Sequence, residues 1–136
     1  MRHSSLFPQP RKNAIIFEDD ELYACLASFP LVKGHCIVVW KKNVTDLHLL
    51  SRKEYEHLMD AVDDLRTALL KTLKIKKVYL MYLDEAQHVH WHLIPRHAQK
   101  GYTILLHTPS KLRSCTLVTK IRKNLSSLLA IYTRGQ

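Results

Sequence analysis

Apolar residues recur along this chain in two rhythms. Between Ser51 and about Leu73 they fall every three or four positions, at Tyr55, Leu58, Met59, Val62, Leu65, Leu69, Leu70 and Leu73, which draws one stripe down an α-helix. Ser51-Arg52-Lys53-Glu54 has the form of a capping box, so the helix should begin there. The stripe is core, not a cofactor site, and Lys71, Lys74, Lys76 and Lys77 gather where cations complement the helix dipole. The second rhythm is shorter. Ala14 to Phe17, Leu22 to Phe29, His35 to Trp40 and Val78 to Leu83 are brief apolar runs that read as strands. The acidic turn Glu18-Asp19-Asp20-Glu21 splits the first two into an antiparallel pair, and Pro30 to Gly34 forms the next turn. His35 to Trp40 lacks polar alternation, as expected of a strand covered on both faces. Helical spacing returns from Thr116 to Tyr132, at Leu117, Ile121, Leu125, Leu128, Leu129 and Tyr132, for a C-terminal helix packing on the domain or on a partner subunit.

A fifth strand carries the chemistry. In His88-Val89-His90-Trp91-His92-Leu93-Ile94 three histidines alternate with apolar residues, so Val89, Trp91 and Leu93 face a core while the imidazoles stand in a row on the other face. At a rise of about 3.3 Å per residue, successive rings are roughly 6.5–7 Å apart. Pro95 lacks an N–H, so the strand ends or becomes an edge there. Asp84-Glu85-Ala86-Gln87 links this strand to the one before it at hairpin length. The order β-β-β-α-β-β-α with short links predicts an α+β fold, a mainly antiparallel five-stranded sheet with helices packed on it.

Three chemistries suit a row of imidazoles. It can be a solvated strand face. It can be part of a metal site, since alternate strand positions can supply two ligands to one ion, although the chain offers no Asp or Glu from Ala86 to Gln136. Or it can attack phosphorus and donate hydrogen bonds to oxygens, which needs no carboxylate at neutral pH.

Composition narrows the setting. With 136 residues and 46% hydrophobic content the chain suits one domain, residues 14–136, behind a flexible basic arm over residues 1–13 that contains Pro8 and Pro10. No apolar run reaches membrane-span length and the first residues lack a secretory apolar block, so a soluble cytoplasmic protein with no membrane partner is expected. Cys25, Cys36 and Cys115 are odd in number and widely spaced, so buried free thiols are expected. Residues 1–85 hold all twelve acids against thirteen Lys and Arg, whereas residues 86–136 hold eight Lys and Arg alone. A phosphate-rich ligand, or nucleic acid, would be drawn to that acid-free segment.

The seven residues from His88 to Ile94 match the His-φ-His-φ-His-φ-φ motif, and the chain resembles the histidine triad nucleotide hydrolases and transferases. Two further segments resemble the family in the same order: Ile15 to Asp20, like its nucleotide-contacting opening, and Gly34 to Lys42, like its Gly-His-apolar strand ending in a basic residue. The resemblance covers about residues 14–96. It implies that His90 attacks an α-phosphate, that His92 hydrogen-bonds phosphate or leaving-group oxygens, and that His88 and His35 orient and share protons. It also implies that Asp19 contacts a ribose, and it assigns Phe17 and Gln87 to substrate. The chain departs from the family before His88, where a longer, often Gly-rich loop usually brings a Ser or Gln to the phosphate. His48, His57, His97 and His107 have no family match and read as surface.

The implied enzyme is a hydrolase that cleaves dinucleoside polyphosphates or nucleoside phosphoramidates through a nucleotidyl-histidine intermediate and releases a nucleoside monophosphate. It needs no resident cofactor or metal, a divalent cation such as Mg accompanying a polyphosphate substrate, and the family's homodimer is carried over as an expectation. Two alternatives stand beside it: a non-catalytic nucleotide-binding module, and a deadenylase of nucleic acid held through residues 86–136.

Overall fold

The computed structural model describes residues 7–83, 85–98 and 101–125. Strands β1 (Ile15–Glu18), β2 (Leu22–Leu26), β3 (Cys36–Trp40), β4 (Lys77–Met81) and β5 (His90–Arg96) form one antiparallel sheet in the order β1-β2-β3-β5-β4. The long helix α1 (Arg52–Leu73) packs against β3, β4 and β5, and two short helices follow, α2 (Gly101–Leu105) and α3 (Leu117–Lys123).

Opposed residues in an antiparallel ladder share a face, so the register sorts the side chains. Val38 opposes Ala24 and Trp91, while Cys36 opposes Leu26 and Leu93. These residues and Trp40 form the core with Leu58, Val62, Leu65 and Leu69 of α1. Leu58, Leu65 and Leu69 are fully buried, and each such side chain contributes roughly 1.5–3 kcal/mol by leaving water. On the opposite face Ile37 opposes Cys25 and His92, and Val39 opposes Tyr23 and His90. That second face is the triad face.

The capping box is present: Glu54 N–H donates to Ser51 Oγ (3.1 Å) and Ser51 N–H donates to Glu54 Oε1 (2.8 Å). The helix ends at Lys74 in a left-handed conformation, φ 55°. Gly34, φ 87°, makes the turn before β3, and a Cβ there would lie 2.7 Å from Leu73 Cδ1 and 3.3 Å from Pro95 Cγ. Only glycine combines that backbone with that closeness.

The elements differ from the sequence reading mainly at their ends. Because Met81 pairs with His92, β4 stops short of Leu83 and residues 82–89 connect it to β5, longer than the four-residue link expected. β5 runs through Pro95, but β3 has ended by then and β5 pairs there only with β4. α2 was not foreseen, since five residues carry too little periodicity. The C-terminal helix forms over Leu117–Lys123, and the rest of its predicted span, from residue 126, lies outside the described residues. Of the expected flexible arm, residues 1–6 lie outside the described residues, while Phe7 is buried and residues 12–14 form a 3-10 turn leading into β1.

Candidate active site

The pairing of β5 with β3 brings four of the predicted histidines together on the triad face. His90 and His92 oppose Val39 and Ile37, His35 immediately precedes β3, and His88 sits just before β5 against the far end of β3. His35, His88 and His90 are buried and His92 is half-buried.

Burial, reinforced by the neighbouring His92, holds His35 down to about 3, and burial with His90 alongside holds His92 down to about 4. Both rings are therefore neutral near pH 7, each with one N–H and one lone pair. Their hydrogen bonds then fix the tautomers. Leu31 N–H donates to His35 Nδ1 (3.0 Å), so the His35 proton is on Nε2, which donates to His92 Nδ1 (2.9 Å). The His92 proton is consequently on Nε2.

A carbonyl can only accept, which settles the other two rings. His90 Nδ1–H donates to the His88 carbonyl (2.7 Å), and His88 Nε2–H donates to the Trp40 carbonyl (2.6 Å). In its neutral form His90 thus carries its lone pair on Nε2. The His90 and His92 rings meet edge to face with centroids 5.0 Å apart. A basic nitrogen beside an N–H donor is the pairing that displacement at phosphorus requires.

Two cavities flank these rings. One of about 440 Å³ adjoins His88 and is lined by Lys12, Glu18, Tyr23 and Lys41; the other, about 220 Å³, adjoins His35 and His92 and is lined by Cys25, Ala27, Phe29 and Ile37. The first holds a Lys41–Glu18 ion pair at 2.8 Å. A wider cleft of about 750 Å³ lies near the start of α1 between Leu47, Tyr55 and Tyr82, and no triad histidine lines it.

Of the remaining predicted residues, Asp19 and Phe17 are not brought to the triad. Asp19 Oδ1 accepts from the N–H groups of Glu21 and Leu22 (2.8 and 2.9 Å), and its Oδ2 accepts from His57 Nε2 at 2.7 Å. The expected ribose contact is thus engaged in its own turn and with α1. Phe17 opposes Ala24 on the helix face because the register shifts between Ile15 and Phe17, and it is buried in the core. Gln87 is exposed at φ 51° directly before His88.

Of the histidines read as surface, His48 and His97 are exposed as expected and His57 and His107 are half-buried. His57 is bound to Asp19, while His97 Nε2 donates to the Lys33 carbonyl (2.8 Å) and His107 Nδ1 to the Leu31 carbonyl (3.2 Å). In the acid-free segment, Arg122 donates to the carbonyls of Ile15 and Ile16, both at 2.8 Å, and so caps the edge of β1. Phe7 is the residue sequence missed most completely. Its ring lies 4.9 Å from His88, stacked, and 4.7 Å from His90. Proximity to Pro8 was the only signal available, and it pointed to a loop.

Cys25 and Cys36 are buried free thiols, with Cys25 pushed up to about 12 by burial; Cys115 is only half-buried. Among the described residues no group of three or more His, Cys, Asp or Glu could hold a metal ion. None of the described helices is long and apolar enough to cross a membrane.

Residues 9–99 match the model of the HIT domain. No curated protein matches the chain. Among solved structures, a Hit-like protein involved in cell-cycle regulation from Bartonella henselae is similar with a TM-score of 0.70 at 24% identity, over 82% of this chain and 86% of that one. A histidine triad protein from Sinorhizobium meliloti gives 0.71 at 16% identity, over 82% and 88%. A hypothetical histidine triad nucleotide-binding protein from Sulfolobus tokodaii gives 0.63 at 20% identity, over 79% of each chain. At these identities the likeness is one of fold.

Proposed function

The chain belongs to the HIT domain family of nucleotide-binding hydrolases and transferases, and from that premise we propose that it cleaves α-phosphate bonds of dinucleoside polyphosphates or nucleoside phosphoramidates. The observation that carries the proposal is the hydrogen bond from His90 Nδ1–H to the His88 carbonyl. It fixes the tautomer and leaves Nε2 as the nucleophile.

In the first step Nε2 of His90 attacks the α-phosphorus, an N–P bond forms, and the bond to the leaving group breaks with its electron pair. A polyphosphate leaves as an anion, so it needs hydrogen bonds more than a proton, whereas the nitrogen of a phosphoramidate leaves as a neutral amine with a proton taken from solvent. His92 Nε2–H supplies one where charge develops, and the His35 contact keeps that hydrogen on the correct nitrogen. In the second step water attacks the same phosphorus, the N–P electrons return to Nε2, a proton passes to solvent, and a nucleoside monophosphate is released. Asp19 has no part in this scheme. Mg²⁺ enters it only as a companion of the polyphosphate. The homodimer belongs to the proposal as well, with β4 as a sheet edge that carries the exposed Leu80.

The test is direct. The protein is incubated with a dinucleoside tetraphosphate and with an adenosine phosphoramidate, quenched in mild base because histidine phosphoramidates are acid-labile, and mapped by mass spectrometry. A nucleotidyl adduct on His90 with AMP release is the expected result. AMP binding with neither adduct nor release would favour a non-catalytic binding module, a second reading supported by the burial of His90.

A further inference from the structure

A nucleophile has to be reached, yet His90 is only 6% exposed. The ring against it belongs to Phe7, itself 8% exposed, which also stacks on His88. Each aromatic group buries the other. We propose that Phe7 controls access to His90, as an aromatic cover that must swing aside before a phosphorus atom can approach Nε2.

The segment that carries the ring is suited to that movement. Pro8 and Pro10 have no N–H, so Phe7-Pro8-Gln9-Pro10 cannot be zipped into a sheet ladder. Firm attachment begins one residue later. Arg11 Nη2 donates to the Leu112 carbonyl (3.1 Å) and contacts Cys115 Sγ (3.7 Å), and the 3-10 turn Lys12–Ala14 follows. The cover is therefore held chiefly by ring contacts and hinged next to an anchored stem.

Phe7 also lines both cavities on the triad face, the one at His88 and the one at His35 and His92. With the ring in place they are separate compartments and His90 lies beneath the partition. With the ring withdrawn they join into one groove across the nucleophile. One end of that groove is mostly apolar beyond His35 and His92; the other carries Lys12 and the Lys41–Glu18 ion pair. An extended substrate with an aromatic base at one end and phosphates at the other fits this division, so the cover selects dinucleoside polyphosphates over compact nucleotides. This step rests on His90 being the nucleophile, whereas the covering of His90 does not.

The experiment uses the full chain and its Phe7→Ala and Phe7→Leu variants. Diethyl pyrocarbonate acylates unprotonated imidazole nitrogen, and its rate at His90 is read by peptide mass spectrometry, with thermal unfolding as the check on integrity. Open states of covered sites are commonly populated at 10% or less, so Phe7→Ala should label His90 about tenfold faster or more. Phe7→Leu, which keeps apolar bulk, should fall between Phe7→Ala and the parent protein. In parallel, Phe7→Ala should narrow the preference for diadenosine tetraphosphate over adenosine phosphoramidate. Unchanged His90 labelling in folded Phe7→Ala would overturn the cover, whatever the turnover. Faster labelling without turnover in any variant would uphold the cover and remove the catalytic reading instead.

Discussion

The two faces of β5 solve opposite problems with alternate residues of one strand. Trp91 and Leu93 pack into the core beneath α1, where shape and dryness are enough. His90 and His92, one position along from them, are a buried and a half-buried ring whose Nδ1 atoms are matched to a carbonyl and an imidazole partner. Apolar packing tolerates substitutions of similar volume. A buried polar group tolerates almost none, because an unmatched donor or acceptor keeps its full desolvation cost. The helix face therefore tolerates change in shape at similar volume, and the triad face tolerates little change in hydrogen bonding.

Substitutions can separate the two faces. The largest effect is expected for His90→Ala, which should lower steady-state turnover per folded molecule by about 10³-fold or more, with nucleotide binding near the parent value and a lowered unfolding midpoint because the His88 carbonyl loses its donor. Wild-type turnover in that variant would end the mechanism. The mirror experiment is Leu65→Ala on the helix face. There the loss should be roughly 2–5 kcal/mol in urea unfolding, with kcat per folded molecule little changed.

Gly34→Ala should affect both faces at once. The new Cβ meets Leu73 and Pro95 at a left-handed backbone beside His35, so about 1–3 kcal/mol of stability should be lost, and kcat should fall as the His35–His92 contact shifts. If kcat is unaffected, His35 is less tightly coupled to its turn than the Leu31 hydrogen bond suggests.

A further test concerns pH. His35 and His92 are held to about 3 and about 4, below the 6.5 of an unperturbed imidazole, so the unfolded chain binds more protons as the solution is acidified. Stability that is fully present above pH 6.5 should therefore decline as pH falls towards 4 and then 3. Urea midpoints measured across that range should fall less steeply in the His35→Asn, His92→Asn double variant. An equal slope would mean that carboxylates, not these rings, set the acid limit.

What could be read from the sequence divides along the same line. The capping box, the α1 stripe and the alternation around His90 are local patterns, and each reappears in the fold. The sheet was also legible, because the turns and strand lengths leave few other arrangements. Three site features were not. Phe17 looked like a substrate contact until the register shift turned it to the core. Asp19 looked available until its turn and His57 engaged it. Phe7 gave no sign at all, since its ring partners lie far along the chain and the prolines near it suggested a loose end. Local periodicity reports which face a strand residue takes, but not which distant side chain comes to rest on that face.

The pairing of β5 with β3 makes the histidine cluster a late product of folding. Two of the hydrogen bonds that set the tautomers, His88 to the Trp40 carbonyl and His35 to His92, join residues 48 and 57 positions apart, across all of α1 and β4. Contacts of such long sequence separation carry a high loop-closure entropy and tend to form late. In a refolding experiment helical signal should therefore return before nucleotide binding, and a collapsed intermediate that has α1 but not the β3–β5 ladder would hold all four histidines without the cluster they form.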